Sequence, residues 1–297
     1  MRQPAGPRFL PVDEPAMVRD PATTPAWHAR LLEAAEGKTG PRRLFVLLHG
    51  WGLTGESLMP LARQLQAHGA CWVPDLPGFG KTPMLREGAG SAEYAEALLR
   101  QPAIVEARMA GRPIVLIGHS FGARLALRAA AADPRTVSCL VLIAGAGLKR
   151  RRGPGFRARA AMLKAVGRLL RRIDHLAGTT LFAHYASRVG SADYRRAGPL
   201  RSTLVAVVNE DLGPVAARIR QPVLLLYGRE DTETPPELGE RFAALMPDAE
   251  LVILDGLGHL DILGAGAFQC AHRILSFLQR KAPAPADDGP ERGRSRC

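Results

Sequence analysis

The chain has 297 residues, which is enough for one large α/β domain or two small domains. Hydrophobic residues make up 46% of it and charged residues 23%, and no run of about 18 apolar residues occurs, so we expect a globular protein without a transmembrane helix. Residues 1–12 lack a continuous apolar core, and the four cysteines show no C-x-x-C motif and no metal-ligand spacing. The composition therefore predicts a reduced, cytoplasmic protein without a signal peptide or a bound metal.

The formal net charge of +12 is concentrated in one segment. Residues 149–201 contain fourteen Lys or Arg and two Asp, so this segment carries the whole excess and the rest of the chain is neutral. Such a local excess is typical of a solvated surface or of a binding site for an anionic partner. Nucleic acid is disfavoured as that partner, because the basic segment contains neither interleaved aromatic residues nor a known nucleic-acid-recognition motif.

The first part of the chain alternates helical and strand-like segments after an irregular, Pro-rich stretch at residues 1–24. The predicted elements here are a helix at 27–36, a strand at 43–49, a helix at 56–66, a strand at 71–75, and a helix at 91–108 that Pro102 interrupts. The stretch from Asp75 to Thr82 lacks the first glycine of a Walker phosphate loop, since Asp75 stands in its place. We interpret it as a structural turn.

The segment around Ser120 combines a buried strand, a sharp turn and a helix. Residues 114–117 are four consecutive apolar residues, and residues 123–132 are rich in Ala and Leu. Between them lies Gly118-His119-Ser120-Phe121-Gly122, with glycines where a Cβ would crowd the strand or the helix. This context predicts a G-x-S-x-G nucleophile elbow, and the alternative is a glycine-rich turn with a passive serine.

The alternation breaks after a further predicted strand at 137–144 and resumes near residue 213. Residues 157–176 have apolar residues at helical spacing on one side and arginines on the others, and shorter helical stretches follow at 179–188 and 198–208. We interpret 147–212 as an inserted, basic helical cap. The remaining predicted elements are strands at 222–228 and 250–254, helices at 235–245 and 264–279, and a disordered tail at 281–297.

Strands that alternate with helices predict an α/β fold with a mostly parallel sheet covered by helices on both faces. The resulting domain division is described by five segments. They are an N-terminal extension (1–40), the first part of the α/β core (41–146), the basic helical cap (147–212), the second part of the core (213–280) and the tail (281–297).

A serine, an acid and a histidine follow three of these predicted strands, in the order Ser120, Asp231, His259. Together with His49-Gly50, the Asp75-Leu-Pro-Gly-Phe-Gly80 turn and Gly228-Arg-Glu-Asp231, they make the chain resemble the α/β-hydrolase fold superfamily, as a serine hydrolase with a helical cap. The resemblance covers roughly residues 41–280. It implies a cap inserted after the sixth strand of the family's sheet and a Ser-His-Asp catalytic triad.

The chemistry of these side chains agrees with the resemblance. His259 would take the proton of the Ser120 hydroxyl and return it to the leaving group, and Asp231 would hold the imidazole in the required tautomer. Glu230 is an adjacent alternative acid, although the family's spacing from Gly228 favours Asp231. The competing histidines, which do not follow a strand and a glycine-rich turn, are His175, His184 and His272.

The backbone N–H groups of Trp51 and Phe121 are the predicted oxyanion hole. Gly50, Trp51 and His119 are the predicted substrate-binding residues, with a packing role as the alternative for the Trp51 side chain. His119 and Asp75 also match the family pattern in a structural role.

A serine nucleophile indicates acyl chemistry without a cofactor. We therefore expect hydrolysis of carboxylic esters or thioesters of a small acyl substrate through an acyl-enzyme intermediate, and we leave open whether that substrate is anionic or carrier-bound. Two alternatives remain open. One is hydrolysis of a C–C bond next to a ketone, and the other is a weakly active or inactive binding protein that docks an anionic partner through its basic cap. Peripheral contact of the cap with an anionic membrane is also left open.

Overall fold

The structure is a computed structural model that describes residues 26–34, 43–149, 154–182, 184–185 and 192–281. The predicted irregular segment at 1–24 and all but the first residue of the predicted tail at 281–297 lie outside these described residues.

A seven-stranded sheet forms the centre of the chain, with strand order β1-β3-β2-β4-β5-β6-β7. The strands are β1 (Ala29–Leu32), β2 (Arg43–Leu48), β3 (Gly69–Pro74), β4 (Ile114–His119), β5 (Val137–Ile143), β6 (Val223–Gly228) and β7 (Ala249–Leu254). All neighbouring pairs are parallel except β1 and β3. The predicted mostly parallel sheet is confirmed, and β4, the strand before Ser120, lies at its centre.

Helices connect the strands as expected for parallel pairing. They are α1 (Met59–Leu65), α2 (Ser91–Leu99), α3 (Pro102–Met109), α4 (Phe121–Ala132), α5 (Pro154–Ala177), α6 (Ala192–Arg196), α7 (Arg201–Asn209), α8 (Gly213–Ala216), α9 (Pro236–Ala243) and α10 (Ala267–Lys281). Pro102 begins α3, so it separates two helices rather than bending one, because proline at the first helical turn removes no hydrogen bond.

The sheet is buried on both faces because successive side chains of its central strands point to opposite sides. In β2, Leu44, Val46 and Leu48 belong to one apolar cluster, and Phe45 and Leu47 belong to the other. Helices α2 and α4 cover the first face, and α1 and α10 cover the second. These two apolar layers hold the carboxyl ends of the strands, where the predicted site residues lie, in fixed positions.

The N-terminal segment differs from the sequence prediction. Residues 29–32 form the antiparallel edge strand β1, not a helix, so the sheet begins before the predicted domain boundary at residue 41. Trp27 is buried and stacks on Trp72 of β3, with ring centroids 6.1 Å apart. Pairing satisfies the free edge of β3, and this tertiary gain outweighs the local helix propensity of the segment.

The segment between β5 and β6 contains α5, α6 and α7, consistent with a helical insertion after the fifth strand of this sheet. Its function as a cap stays a prediction. Helix α5 exposes Met162, Leu169 and Leu176. The predicted stretch at 179–188 lies partly outside the described residues. None of the helices that the structure describes combines the length and apolarity needed to cross a bilayer.

Candidate active site

Ser120 occupies the sharp turn between β4 and α4. Its backbone has φ 50° and ψ −106°, a region that non-glycine residues rarely adopt, and this strain is typical of functional positions. The flanking glycines explain how the turn closes. A Cβ on Gly122 would lie 2.1 Å from the carbonyl oxygen of Leu48, and a Cβ on Gly118 would lie 2.5 Å from the backbone of Gly122. The structure therefore has the strand, sharp turn and helix that the sequence predicts, and the role of Ser120 as a nucleophile stays a prediction.

His259 lies between Ser120 and Asp231 and is within hydrogen-bond distance of both. Its Nδ1 is 2.7 Å from Asp231 Oδ2, and its Nε2 is 3.1 Å from Ser120 Oγ. Because an ionised carboxylate only accepts hydrogen bonds, Nδ1 carries the proton and Nε2 is free to accept one from the serine hydroxyl. The structure thus brings together the three side chains that the sequence analysis selected.

The Asp231 carboxylate is buried in a set of hydrogen-bond donors. Its Oδ1 accepts the backbone N–H groups of Glu233 and Thr234, both at 2.8 Å, and its Oδ2 is 2.8 Å from the Thr234 hydroxyl. Burial opposes ionisation of this carboxyl, but the hydrogen bonds from His259 and Thr234 outweigh it and lower the pKa of Asp231. The group is therefore a fixed negative charge behind the imidazole at neutral pH.

The alternative acid, Glu230, is exposed and makes no described contact with His259. A different acid does approach the imidazole, since the Glu233 carboxylate lies 3.6 Å from His259 Nε2 with 67% of its side chain exposed. Two residues that the sequence analysis did not select thus lie at the site, Thr234 and Glu233. Glu233 follows Asp231 by two residues and Thr234 follows it by three, and these positions are the only sequence signal for them.

The peptide unit between Gly50 and Trp51 is oriented by a buried histidine. His49 accepts the Leu76 N–H at Nε2 (2.9 Å), so its protonated Nδ1 donates to the Gly50 carbonyl at 2.8 Å. In a planar trans peptide the C=O and the next N–H point in opposite directions, so the Trp51 N–H points away from His49. Phe121 is the first residue of α4, and its N–H has no acceptor within the helix.

An aromatic wall borders the predicted oxyanion site. The Trp51 ring packs edge-on against Phe79 and Phe121, with centroid distances of 5.0 and 5.4 Å, and Tyr94 packs edge-on against Phe121 at 5.4 Å. Trp51 remains half-buried, whereas the other three rings are buried. Trp51 is thus the member of this wall with surface left for a ligand.

His119 is located differently from what its selection as a substrate-binding residue implies. It is 1% exposed, and its Nε2 donates to the backbone carbonyl of His259 at 3.0 Å. Gly50 packs directly against it, since a Cβ at that glycine would lie 2.7 Å from His119 Nδ1. Burial leaves His119 no surface for a substrate, so the structure favours the structural interpretation.

Burial also keeps two histidines of this region neutral. Burial lowers the pKa of His49 to about 4, and burial together with the neighbouring charge of His259 lowers that of His119 to about 3. Both are therefore uncharged at neutral pH. His49 fixes the loop after β2, and His119 fixes the loop that carries His259.

The turn that begins at Asp75 is structural, as predicted. Asp75 Oδ1 accepts the Gly55 N–H at 2.9 Å and its Oδ2 accepts the Lys81 N–H at 3.0 Å. The His28 ring, just before β1, is 3.0 Å from the same Oδ2. The carboxylate thus ties three loops together. Among the described residues, no group of three or more His, Cys, Asp or Glu side chains is arranged to hold a metal ion.

Comparison with known proteins agrees with this architecture. The model of the alpha/beta hydrolase family matches residues 45–268. A pimeloyl-[acyl-carrier protein] methyl ester esterase of Methylococcus capsulatus is 32% identical over 247 residues, covering 78% of this chain and 93% of the relative. The enzyme with the same name from Vibrio vulnificus is 26% identical over 253 residues, covering 78% and 92%.

Solved structures show the same fold. A lipase-esterase related protein from Clostridium acetobutylicum superimposes with a TM-score of 0.63 at 19% identity, covering 85% of this chain and all of that one. A hydrolase from Pseudomonas aeruginosa gives a TM-score of 0.58 at 24% identity, covering 84% and 93%. The chain belongs to the alpha/beta hydrolase family. It is a hydrolase of the α/β-hydrolase fold.

Proposed function

We propose that the chain is a serine hydrolase that cleaves carboxylic esters or thioesters through an acyl-enzyme intermediate at Ser120. The observation that carries this proposal is the hydrogen-bonded series from Ser120 Oγ through His259 to Asp231, with distances of 3.1 and 2.7 Å. His259 Nε2 takes the proton as Ser120 Oγ attacks the acyl carbon, and then delivers it to the leaving alcohol or thiol. Water attacks the acyl-enzyme by the same route, with His259 as the base.

Two backbone N–H groups are the proposed oxyanion hole. The Phe121 N–H at the start of α4 adds the positive end of a helix dipole, and the Trp51 N–H is fixed by His49 as described above. Loss of one such donor raises the barrier by about 3 kcal/mol in comparable enzymes. The half-buried Trp51 ring supplies an apolar wall next to this hole and supports its selection, with Gly50, for substrate binding.

Labelling with a fluorophosphonate probe tests the nucleophile. We expect one adduct by intact mass on the wild-type protein and none on Ser120→Ala, because only an activated serine attacks such a phosphorus centre. Wild-type protein that is folded but unlabelled would contradict the proposal and favour the alternative of a binding protein with little turnover. A panel of p-nitrophenyl esters and acyl thioesters of graded length would then define the preferred acyl chain.

The relatives support a narrower candidate, an acyl substrate presented on a carrier protein. The curated proteins with this similarity are named as esterases of an acyl-carrier-bound methyl ester. The basic segment 149–201 would attract an acidic carrier electrostatically. Faster hydrolysis of a carrier-bound methyl ester than of the free methyl ester, with the advantage lost at high salt, is the expected result. Two expectations stay predictions, a cytoplasmic location and catalysis without a cofactor or metal. Contact of the basic segment with a membrane stays open.

A further inference from the structure

A cavity of about 430 Å³ is lined in part by Thr234 and Glu233, two residues that contact His259. Its walls come from α4 at Arg124, from residues 146–149 after β5, from the end of α7 at residues 208–209, and from the loop and helix that contain Thr234 and Leu238. The Thr234 hydroxyl lies 3.1 Å from His259 Nδ1 and 2.8 Å from Asp231 Oδ2. Glu233, also in the lining, lies 3.6 Å from His259 Nε2. This space, here called the Arg124 cavity, therefore extends from two residues that contact His259 to Arg124 on α4.

Arg124 is a buried cation without a hydrogen-bonded partner in the described part of the chain. It is 9% exposed, and its Nη1 is fully buried and makes no hydrogen bond. The acid that compensates its charge, Glu210, is already engaged. Its two oxygens accept the N–H and the hydroxyl of Ser91, and its Oε2 lies 3.6 Å from Arg128 Nη2. A buried guanidinium normally has a carboxylate or several acceptors around it, since its desolvation is costly.

Arg124 lies close to Ser120 along α4. It follows Ser120 by four residues, which is about one helical turn or 6 Å along the helix axis. Helical side chains lean toward the N-terminus of their helix, which here carries Ser120. Burial lowers the pKa of the Arg124 guanidinium, and the negative charge of Glu210 only partly offsets this. A bound anion would restore the missing partner.

We propose that Arg124 binds a carboxylate group of the substrate inside the Arg124 cavity, so that the physiological substrate is an ester that also bears an anion close to the scissile bond. This proposal rests on the proposed ester hydrolysis at Ser120. It is an alternative to the carrier-bound methyl ester, because the second carboxyl of that ester is held in the thioester and carries no charge. The planar guanidinium presents paired N–H groups that match a carboxylate. Lys149 lines the same cavity and adds a second positive charge. Glu233 also lines it, and its negative charge disfavours binding of an anion beside it.

Binding to a catalytically inactive protein tests this subsite without requiring turnover. In the Ser120→Ala background, calorimetry would compare monomethyl esters of dicarboxylic acids from succinate to pimelate with the matched neutral methyl esters that carry a carboxamide. We expect the anionic members to bind preferentially, and Arg124→Gln to weaken them by about 10- to 100-fold, the effect of losing a hydrogen bond between charged groups. Arg124→Lys keeps the charge but not the paired donors, so it should weaken binding less.

Arg128→Gln is the matched control, because Arg128 is on the same helix but contacts Ser91 and Glu210 instead of the cavity. Its removal should leave the preference for the anion unchanged. Equal loss in both variants would show a long-range charge effect and overturn the subsite. Equal binding of the anionic and neutral series, or no binding by any member, would overturn it as well.

Turnover gives a second readout on the active protein. The ratio of kcat/KM for an anionic ester to that for its neutral counterpart should fall by about 10- to 100-fold in Arg124→Gln relative to wild type. Fluorophosphonate labelling of Ser120 reports separately on the nucleophile. If Ser120 is labelled but the anion preference is absent, the subsite proposal is wrong; if Ser120 is not labelled, the proposed hydrolase activity is wrong.

Urea unfolding should show Arg124→Gln at least as stable as wild type, because an unpartnered buried cation does not stabilise the fold. A marked loss of stability would contradict the proposed role.

Discussion

At the residue scale, Thr234 is the least expected member of the site. Its hydroxyl lies 2.8 Å from Asp231 Oδ2 and 3.0 Å from the carbonyl of Ala144, and its N–H donates to Asp231 Oδ1. Ala144 follows β5 and itself has a positive φ of 47°. Thr234 therefore connects the carboxylate of the proposed triad to the adjacent strand end, and we interpret it as a positioning residue.

Thr234→Val should lower kcat for ester hydrolysis by about tenfold or more and leave KM nearly unchanged. Valine has a similar volume but lacks the hydroxyl, so the buried Asp231 carboxylate loses a hydrogen-bond donor. A hydrogen bond to a charged group stabilises by on the order of 1.5–3 kcal/mol. Steady-state kinetics on one neutral p-nitrophenyl ester would measure the effect. Thr234→Ser, which retains the hydroxyl, should recover most of the rate. A Val variant with wild-type kcat would mean that the backbone N–H groups suffice to position Asp231.

At the scale of elements, the strand–turn–helix unit around Ser120 depends on glycines that pack directly against the backbone of neighbouring segments. Gly122→Ala should destabilise the protein by about 3 kcal/mol or more and abolish fluorophosphonate labelling. Its Cβ would lie 2.1 Å from the Leu48 carbonyl oxygen, and neither α4 nor β2 can shift without disturbing the sheet. Urea unfolding gives the free energy, and intact mass gives the labelling.

Gly167→Ala is the matched control for this substitution. Gly167 is in the middle of α5, and a Cβ there would make ordinary contacts of 3.4 and 3.5 Å with the rings of Phe182 and Tyr185. Because alanine favours the helix and loses less chain entropy on folding, the variant should be more stable by about 0.5–1 kcal/mol. Similar losses in the two variants would contradict the steric explanation of the elbow.

The elements also show which features the sequence can reveal. The central strands and the turn at Ser120 were predictable, because apolar runs and flanking glycines are local signals. The edge strand at residues 29–32 was not, since its conformation depends on pairing with β3 some forty residues away. The unpartnered state of Arg124 was equally hidden, because residue identity does not show which acceptors the fold brings to a helix face.

At the scale of the whole molecule, two buried histidines couple the stability of the fold to pH. His49 and His119 have lowered pKa values, about 4 and about 3, because burial disfavours their charged forms. The unfolded chain binds protons at the ordinary histidine pKa of about 6.5. Below that pH the unfolded state holds more protons than the native state. The stability contributed by these groups is therefore complete above pH 6.5 and is lost as the pH falls toward 4 and then 3.

His119→Gln should reduce this pH dependence. For wild-type protein, the free energy of unfolding should fall between pH 6.5 and 4, with each buried histidine contributing up to about 1.4 kcal/mol per pH unit. Urea titrations at several pH values across this range would give the slope. Glutamine at position 119 retains an amide donor for the His259 carbonyl but cannot be protonated, so the slope should decrease by one histidine's contribution. Replacing the exposed His272 by glutamine is the control for the loss of one histidine from the chain. An unaltered slope in His119→Gln would mean that His119 takes up its proton in the native state, which would require the loop that carries His259 to open in acid.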